Sequence, residues 1–260
     1  MKAISSRDNT AYKSVARLAT SSSERRREGL SLIEGAHLLE AYLASGETPR
    51  DIFVTKAALE KLEIARLAER SSPARVTLLS DSLFDGLSGV QAPSGVIAVV
   101  ATPGARKVPS NASLVLALEN IQDPGNVGTL LRSAAAAGAG HVLLSPGCAF
   151  AWSPKVLRSA MGAHFALNVV EGADLEAFMG GYRGTTVALA VDGEESLYDL
   201  DLRGPAAFVI GNEGAGVSEP VKARTMKRAR IPMPGRMESL NAGIAGSLCL
   251  FEAVRQRGEP

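Results

Sequence analysis

A chain of 260 residues with 46% hydrophobic content exceeds one average domain and can bury two cores of ordinary size. Its net charge of +1 excludes a protein drawn to nucleic acid by bulk charge alone, and Cys148 and Cys249, far apart and without metal-ligand spacing, read as reduced thiols of a cytoplasmic protein. The longest apolar run, around Gly95 to Ala101, is too short to cross a bilayer, and the N-terminus MKAISSRDNT lacks the apolar stretch of a secretory signal.

Residues 1–27 carry seven basic side chains, Lys2, Arg7, Lys13, Arg17, Arg25, Arg26 and Arg27, against Asp8 and Glu24. Leu30 to Ile33 then reads as a strand, Ala36 to Leu43 as a helix ending near Gly46, and Asp51 to Thr55 as a second strand. Ala57 to Glu69 has helical spacing. Arg75 to Leu79 is strand-like, with a short helix near Ser82, and the β-branched run Gly95 to Val100 completes an α/β unit. Thr102 to Ser113 holds two prolines and a glycine without apolar periodicity, and reads as an interdomain linker.

The alternation then resumes. Leu114 to Leu118 is a strand, Val127 to Ala137 a helix closed by Gly138, His141 to Leu144 a strand, and Pro154 to Ala160 a helix. Thr185 to Ala190 and Ala206 to Ile210 are strands, and Leu240 to Val254 is a long apolar helix. Buried strands alternating with helices imply a parallel sheet covered on both faces, with ligands at the C-terminal strand ends. The expected division is 1–102, a linker at 103–113, and 114–260. A second basic stretch, 222–236, holds Lys222, Arg224, Lys227, Arg228, Arg230 and Arg236 and no acid. Either basic stretch can follow a phosphate backbone or simply face water.

Three segments follow strand ends. In ENIQDPGNVGTLLR (Glu119 to Arg132), Asp123 or Asn126 can cap the following helix, and Pro124 suits its first turn. In GNEGAG (Gly211 to Gly216), three glycines in six residues let the backbone approach something closely, and Glu213 can accept hydrogen bonds. The spacing is that of neither a P-loop nor a dinucleotide fingerprint. In IPMPGRMESLN (Ile231 to Asn241), two prolines restrict the backbone, and Ser239 or Asn241 can cap the last helix. Each segment alone also reads as ordinary capping or a tight turn. His37, His141 and His164 have no metal-ligand spacing and read as packing residues.

Together the motifs NVGTLLR (Asn126 to Arg132), VIGNEGAGVSE (Val209 to Glu219) and IPMPGRMESLNAGIA (Ile231 to Ala245) make the second domain resemble the SpoU, or TrmH-type, class of SPOUT RNA ribose 2′-O-methyltransferases. SLIEGAHLLEAYL and PSGVIAVV make the first domain similar to the small ribosomal-protein-like α/β domain that many members carry to bind substrate. One departure is Ala242, where many relatives have Val.

The resemblance implies a parallel-sheet catalytic domain with a deep C-terminal trefoil knot, formed here by the Gly211 to Gly216 and Ile231 to Asn241 loops. It implies S-adenosylmethionine as cofactor, a homodimer, no metal and no membrane. Gly211, Ile231, Met233 and Leu240 are carried over as cofactor contacts. Arg132 is carried over as the chief catalytic residue, with Asn126, Glu213, Ser239 and Asn241 beside it. A guanidinium stays protonated in proteins, so Arg132 is expected to act by charge and positioning rather than as a base. Lys13, Arg17, Arg25, Arg26 and Arg27 are expected to grip RNA. The extra first domain favours ribosomal RNA of the 23S type over tRNA. A non-catalytic RNA-binding or assembly protein is the reading of another class, against which the intact motif residues speak.

Overall fold

The computed structural model describes residues 2–258. By contact the chain forms two units, one built from the chain up to Gly104 plus Trp152–Phe165, the other from Ala105–Ala151 plus the chain from Ala166 onward. Residues 152–165 group by contact with the first unit.

In the first unit β1 (Lys2–Ile4), α1 (Thr10–Thr20) and α2 (Ser22–Glu28) precede β2 (Leu30–Glu34), α3 (Ala36–Ala44), β3 (Asp51–Thr55), α4 (Lys56–Leu59), α5 (Leu62–Arg70), β4 (Arg75–Leu79), α6 (Asp81–Asp85) and β5 (Val96–Ala101). The sheet order is β1-β4-β3-β5-β2, with β5 antiparallel to both neighbours. The first three elements were not legible as such in the sequence. On α1, Tyr12, Val15 and Leu18 recur every third residue and join Leu32, Phe53 and Phe84 in one core. Burying each such side chain contributes about 1.5–3 kcal/mol, enough to fix a helix whose other face is basic. The single helix expected over 57–69 is two helices, because Lys61 adopts an extended backbone (φ −77°, ψ 125°) between them.

The second unit holds β6 (Leu114–Leu118), α7 (Pro124–Ala136) and β7 (His141–Leu144). After α8 (Pro154–Ala160), which belongs to the first unit, come β8 (Asn168–Glu171), α9 (Leu175–Gly181), β9 (Thr185–Leu189), β10 (Glu195–Ser196), β11 (Ala206–Ile210), α10 (Glu219–Lys222), β12 (Lys227–Arg230) and α11 (Ala242–Arg257). All seven strands are parallel, in the order β10-β12-β9-β11-β6-β7-β8. Strand side chains alternate between faces. Val115, Ala117, Ala188, Ala207 and Val209 meet Leu175, Met179, Val217 and Val221 on one side. Helices α7 and α11 pack together, α11 against β11 and α7 against β6 and β7.

Helix α8 packs on β2, Tyr42 meets the edge of Phe165 at 5.1 Å, and Arg158 pairs with the nearly buried Glu34 at 3.6 Å. Residues of the segment read as a linker are held by hydrogen bonds within the second unit. The Asn168 side chain accepts from the Arg106 amide and donates to the Arg106 carbonyl, each at 2.8 Å, and Arg183 donates its amide to the Ser110 carbonyl. Backbone groups without a strand or helix partner are thus satisfied by side chains and neighbouring backbone. No helix among the described residues is long and apolar enough to cross a membrane.

Candidate active site

The ends of β6, β11 and β12 bring the three motif segments to one edge of the parallel sheet. Strand β6 runs into Glu119, a buried residue only 7% exposed. It accepts from the Ser218 amide (2.8 Å) and the Ser218 hydroxyl (2.6 Å), and so fastens the far end of the glycine loop to the first motif. Asn212 adds a second link, donating to the Asn120 carbonyl at 3.1 Å. Neither Glu119 nor Ser218 was singled out from sequence. The available signal was an acid at the end of the wholly apolar strand LVLAL, which has to find donors once buried.

The glycine loop is closed from within. Asn212 Oδ1 accepts from the Gly214 and Ala215 amides, and the Asn212 carbonyl accepts from Gly216. A Cβ on Gly211 would fall inside the backbone of Gly216 and Val217, so only glycine fits there.

Asp123 caps α7 by accepting from the Asn126 amide at 2.8 Å, which turns the Asn126 side chain to the other two segments. Asn126 Nδ2 donates to Glu213 Oε1, and Asn126 Oδ1 accepts from Asn241 Nδ2 at 2.9 Å. Asn241 Oδ1 in turn caps α11 through the Gly243 and Ile244 amides. Three of the expected catalytic residues therefore form one chain, from a carboxylate to the positive end of a 16-residue helix.

Beside this chain lies a cavity of about 250 Å³. Gly211, Ile231, Met233 and Leu240, expected from sequence as cofactor contacts, all line it, as do Glu213 and Ser239. So do Asp192 beyond the end of β9 and Lys222 on α10, which sequence reading missed for this role. Ala242 is buried in its wall. Arg132 is exposed on α7, makes no hydrogen bond or ion pair among the described residues, and does not line the cavity. Asn126 and Asn241 stand outside the lining too.

The basic residues divide. Arg25 is 5% exposed and donates to the Leu18 carbonyl, with its pKa lowered by burial and then by Arg26. It therefore turns inward and leaves the expected RNA-facing set. Lys13 pairs with Asp8 at 2.9 Å, and Arg27 with Glu24 and Glu28 at 2.7 and 3.0 Å, while Arg17 and Arg26 are exposed. Three of the six basic residues of 222–236 pair with two acids outside it. Lys222 and Arg228 pair with Glu219 and Lys227 with Glu195, and Arg230 donates to the Gly193 and Glu194 carbonyls. His141 meets Asn168 at 3.1 Å with its pKa lowered, first by burial, and His164 lies tilted against Trp152 with ring centroids 4.9 Å apart. Both cysteines are free thiols, and burial pushes Cys249 up to about 12.

Comparison with known proteins decides the family. The model of the SpoU rRNA Methylase family matches residues 113–251, and that of an MRM3-like substrate binding domain matches 9–98. The chain belongs to the SpoU rRNA methylase family. A Bacillus subtilis relative, the 23S rRNA (guanosine(2553)-2′-O)-methyltransferase RlmP, is 31% identical over 96% of this chain and 98% of its own. A crystal structure of an RNA 2′-O ribose methyltransferase superposes with a TM-score of 0.84 at 30% identity, over 98% of this chain and 99% of the other. The SpoU methyltransferase AviRb of Streptomyces viridochromogenes, in complex with its cofactor AdoMet, superposes with a TM-score of 0.85 at 28% identity, over 96% and 99%.

SpoU enzymes use S-adenosylmethionine, and the cavity suits it. Leu189, Ile231, Met233 and Leu240 offer apolar walls to a flat base. The carboxylates of Asp192 and Glu213 and the ammonium of Lys222 offer partners of both signs to a cofactor with ribose hydroxyls and a zwitterionic tail.

Proposed function

We propose that this SpoU enzyme methylates a ribose 2′-hydroxyl of ribosomal RNA, with Arg132, Asn126, Glu213, Ser239 and Asn241 as its reacting side and Gly211, Ile231, Met233 and Leu240 as its cofactor contacts. The observation that carries the reading is the hydrogen-bonded chain Glu213–Asn126–Asn241, which ties all three motif segments together beside the cavity that Glu213 lines. Bound in that cavity, S-adenosylmethionine supplies an electrophilic methyl carbon.

The protein's own part is alignment. Holding oxygen and methyl in line supplies several kcal/mol of barrier reduction. Glu213, with one oxygen engaged by Asn126, keeps the other for a ribose hydroxyl. Arg132, exposed and without a partner among the described residues, is available to an RNA phosphate and to the charge that develops as the 2′-oxygen loses its proton. Arg17 and Arg26 in the substrate-binding domain extend the grip, and the presence of that domain favours 23S-type ribosomal RNA over tRNA.

A homodimer and the threaded knot belong to the same reading. On α11, Ile244 (54% exposed), the half-buried Leu248 and Phe251 (46% exposed) form an apolar stripe at helical spacing, the kind of surface a second copy covers. Sedimentation of Phe251→Asp as a monomer beside a wild-type dimer checks this; a wild-type monomer removes it. The knot is supported by the return of α11, after β12, to pack against both α7 and β11. The cytoplasm is the compartment consistent with two free thiols.

The decisive experiment incubates the enzyme with methyl-labelled S-adenosylmethionine and 23S-type RNA or tRNA, then maps 2′-O-methyl nucleotides by mass spectrometry. Label in one ribosomal nucleotide, absent with Arg132→Ala although the cofactor still binds, supports the proposal. Label confined to tRNA, or full activity of Arg132→Ala, overturns it.

A further inference from the structure

The cavity's polar lining is mostly acidic or neutral, yet S-adenosylmethionine carries a carboxylate on its amino-acid tail. Several backbone amides in and beside the cavity are already used. Those of Gly214 and Ala215 bond to Asn212 Oδ1, that of Gly216 to the Asn212 carbonyl, and those of Gly243 and Ile244 to Asn241 Oδ1. Among the described residues lining the cavity, the one cationic side chain is Lys222.

Lys222 is unusual for a surface lysine. Its side chain is only 12% exposed, and its partner Glu219, at 3.0 Å, is 72% exposed and shared with Arg228 at 3.8 Å. An ammonium has three donors, and Glu219 takes one of them. A largely buried lysine side chain whose ammonium has, among the described residues, one solvated carboxylate partner keeps capacity for a second anion from the cavity side.

We propose that Lys222 is a cofactor-specificity residue that binds the carboxylate of S-adenosylmethionine. This rests on the cavity being the cofactor's. The carboxylate is unchanged by the reaction, so Lys222 holds substrate and product cofactor alike. Its loss raises KM for S-adenosylmethionine and leaves kcat nearly unaltered, the mark of uniform binding.

The test is calorimetric titration of wild type, Lys222→Met, Lys222→Arg and Glu219→Gln with S-adenosylmethionine, S-adenosylhomocysteine and decarboxylated S-adenosylmethionine. Losing one charge-assisted hydrogen bond weakens the first two ligands roughly tenfold to a hundredfold in Lys222→Met. The decarboxylated ligand, which lacks only the carboxylate, binds Lys222→Met as tightly as wild type or tighter, since one repelling cation is gone. Lys222→Arg recovers part of the loss. Glu219→Gln keeps wild-type affinity, which a lysine serving only its glutamate would not allow. Equal losses for the carboxylated and decarboxylated ligands, or wild-type affinity of Lys222→Met for S-adenosylmethionine, overturn the proposal. Gly211→Val separates this from the underlying reading: if it binds all three ligands as wild type does, the cavity itself is misassigned.

Discussion

Asn241 reaches in two directions at once: its Nδ2 donates to Asn126 Oδ1 over 2.9 Å, while its Oδ1 closes the first turn of α11. The two asparagines come from segments more than a hundred residues apart, yet each needs the other's amide oriented one way. Asn126 can offer Oδ1 to Asn241 because its Nδ2 is committed to Glu213. Reversing either amide sets donor against donor or acceptor against acceptor. An amide is the one side chain of this size that can serve a carboxylate and an amide at the same time.

Asn126→Asp tests that polarity. The substitution puts a carboxylate where Glu213 needs a donor. Two facing carboxylates cannot both stay ionised cheaply, so one pKa rises. Above that raised pKa the pair repels, and below it a proton restores the hydrogen bond. Methyl transfer by Asn126→Asp is therefore expected to fall at least about tenfold at pH 8 and to recover partly toward pH 6. Rate profiles of both enzymes measure this; parallel profiles would mean that the Asn126–Glu213 bond does not set the geometry.

The backbone of the glycine loop makes a different demand. On Gly211 an added methyl collides with the backbone of Gly216 and Val217, which are pinned by Asn212 and by the Glu119–Ser218 bonds. On Gly246 of α11 the nearest atom is the end of the Leu130 side chain, which can rotate. Gly211→Ala is expected to lose cofactor affinity by more than about tenfold, because the loop must open. Gly246→Ala costs about 1–3 kcal/mol of stability as ordinary overpacking and keeps the affinity. Equilibrium dialysis and thermal melting of the pair separate the two effects. Equal affinities would show that the loop's closed form is not what binds.

How much of this was legible in advance follows from how local each signal is. The strand LVLAL, the capped helix after Asp123 and the glycine turn are written in consecutive residues, and the structure has each of them. The motif residues were legible because a family resemblance carried them. What escaped depends on partners distant in sequence. The basic run 222–236 looks like an exposed cationic face until Glu195 and Glu219 are brought to it. Strand β12, KRAR, shows no alternation a reader would trust, because only Ala229 of its four residues is fully buried. Glu119 reads as the polar end of a strand until Ser218 arrives from ninety-nine positions away.

The triplet Arg25 to Arg27 illustrates the same point in one turn of helix, and it yields a test. A helix rotates about 100° per residue, so three successive arginines cannot share a face. Arg25 lands inward against the Leu18 carbonyl, Arg27 folds onto Glu24 and Glu28, and Arg26 lies on the exposed side. Arg25→Ala removes a buried hydrogen bond and packed methylenes, and is expected to cost about 1–3 kcal/mol of stability. Arg17→Gln and Arg26→Gln touch exposed positions and should stay within about 0.5 kcal/mol of wild type. In RNA binding the order reverses. If Arg17 and Arg26 neutralise phosphates, each substitution lowers the slope of log affinity against log salt by about one. Arg25→Ala, studied below its melting temperature, leaves that slope alone. Thermal melts and salt titrations of the three variants give both readouts, and a slope that moves with Arg25 but not with Arg26 would place the RNA on a different face of α2.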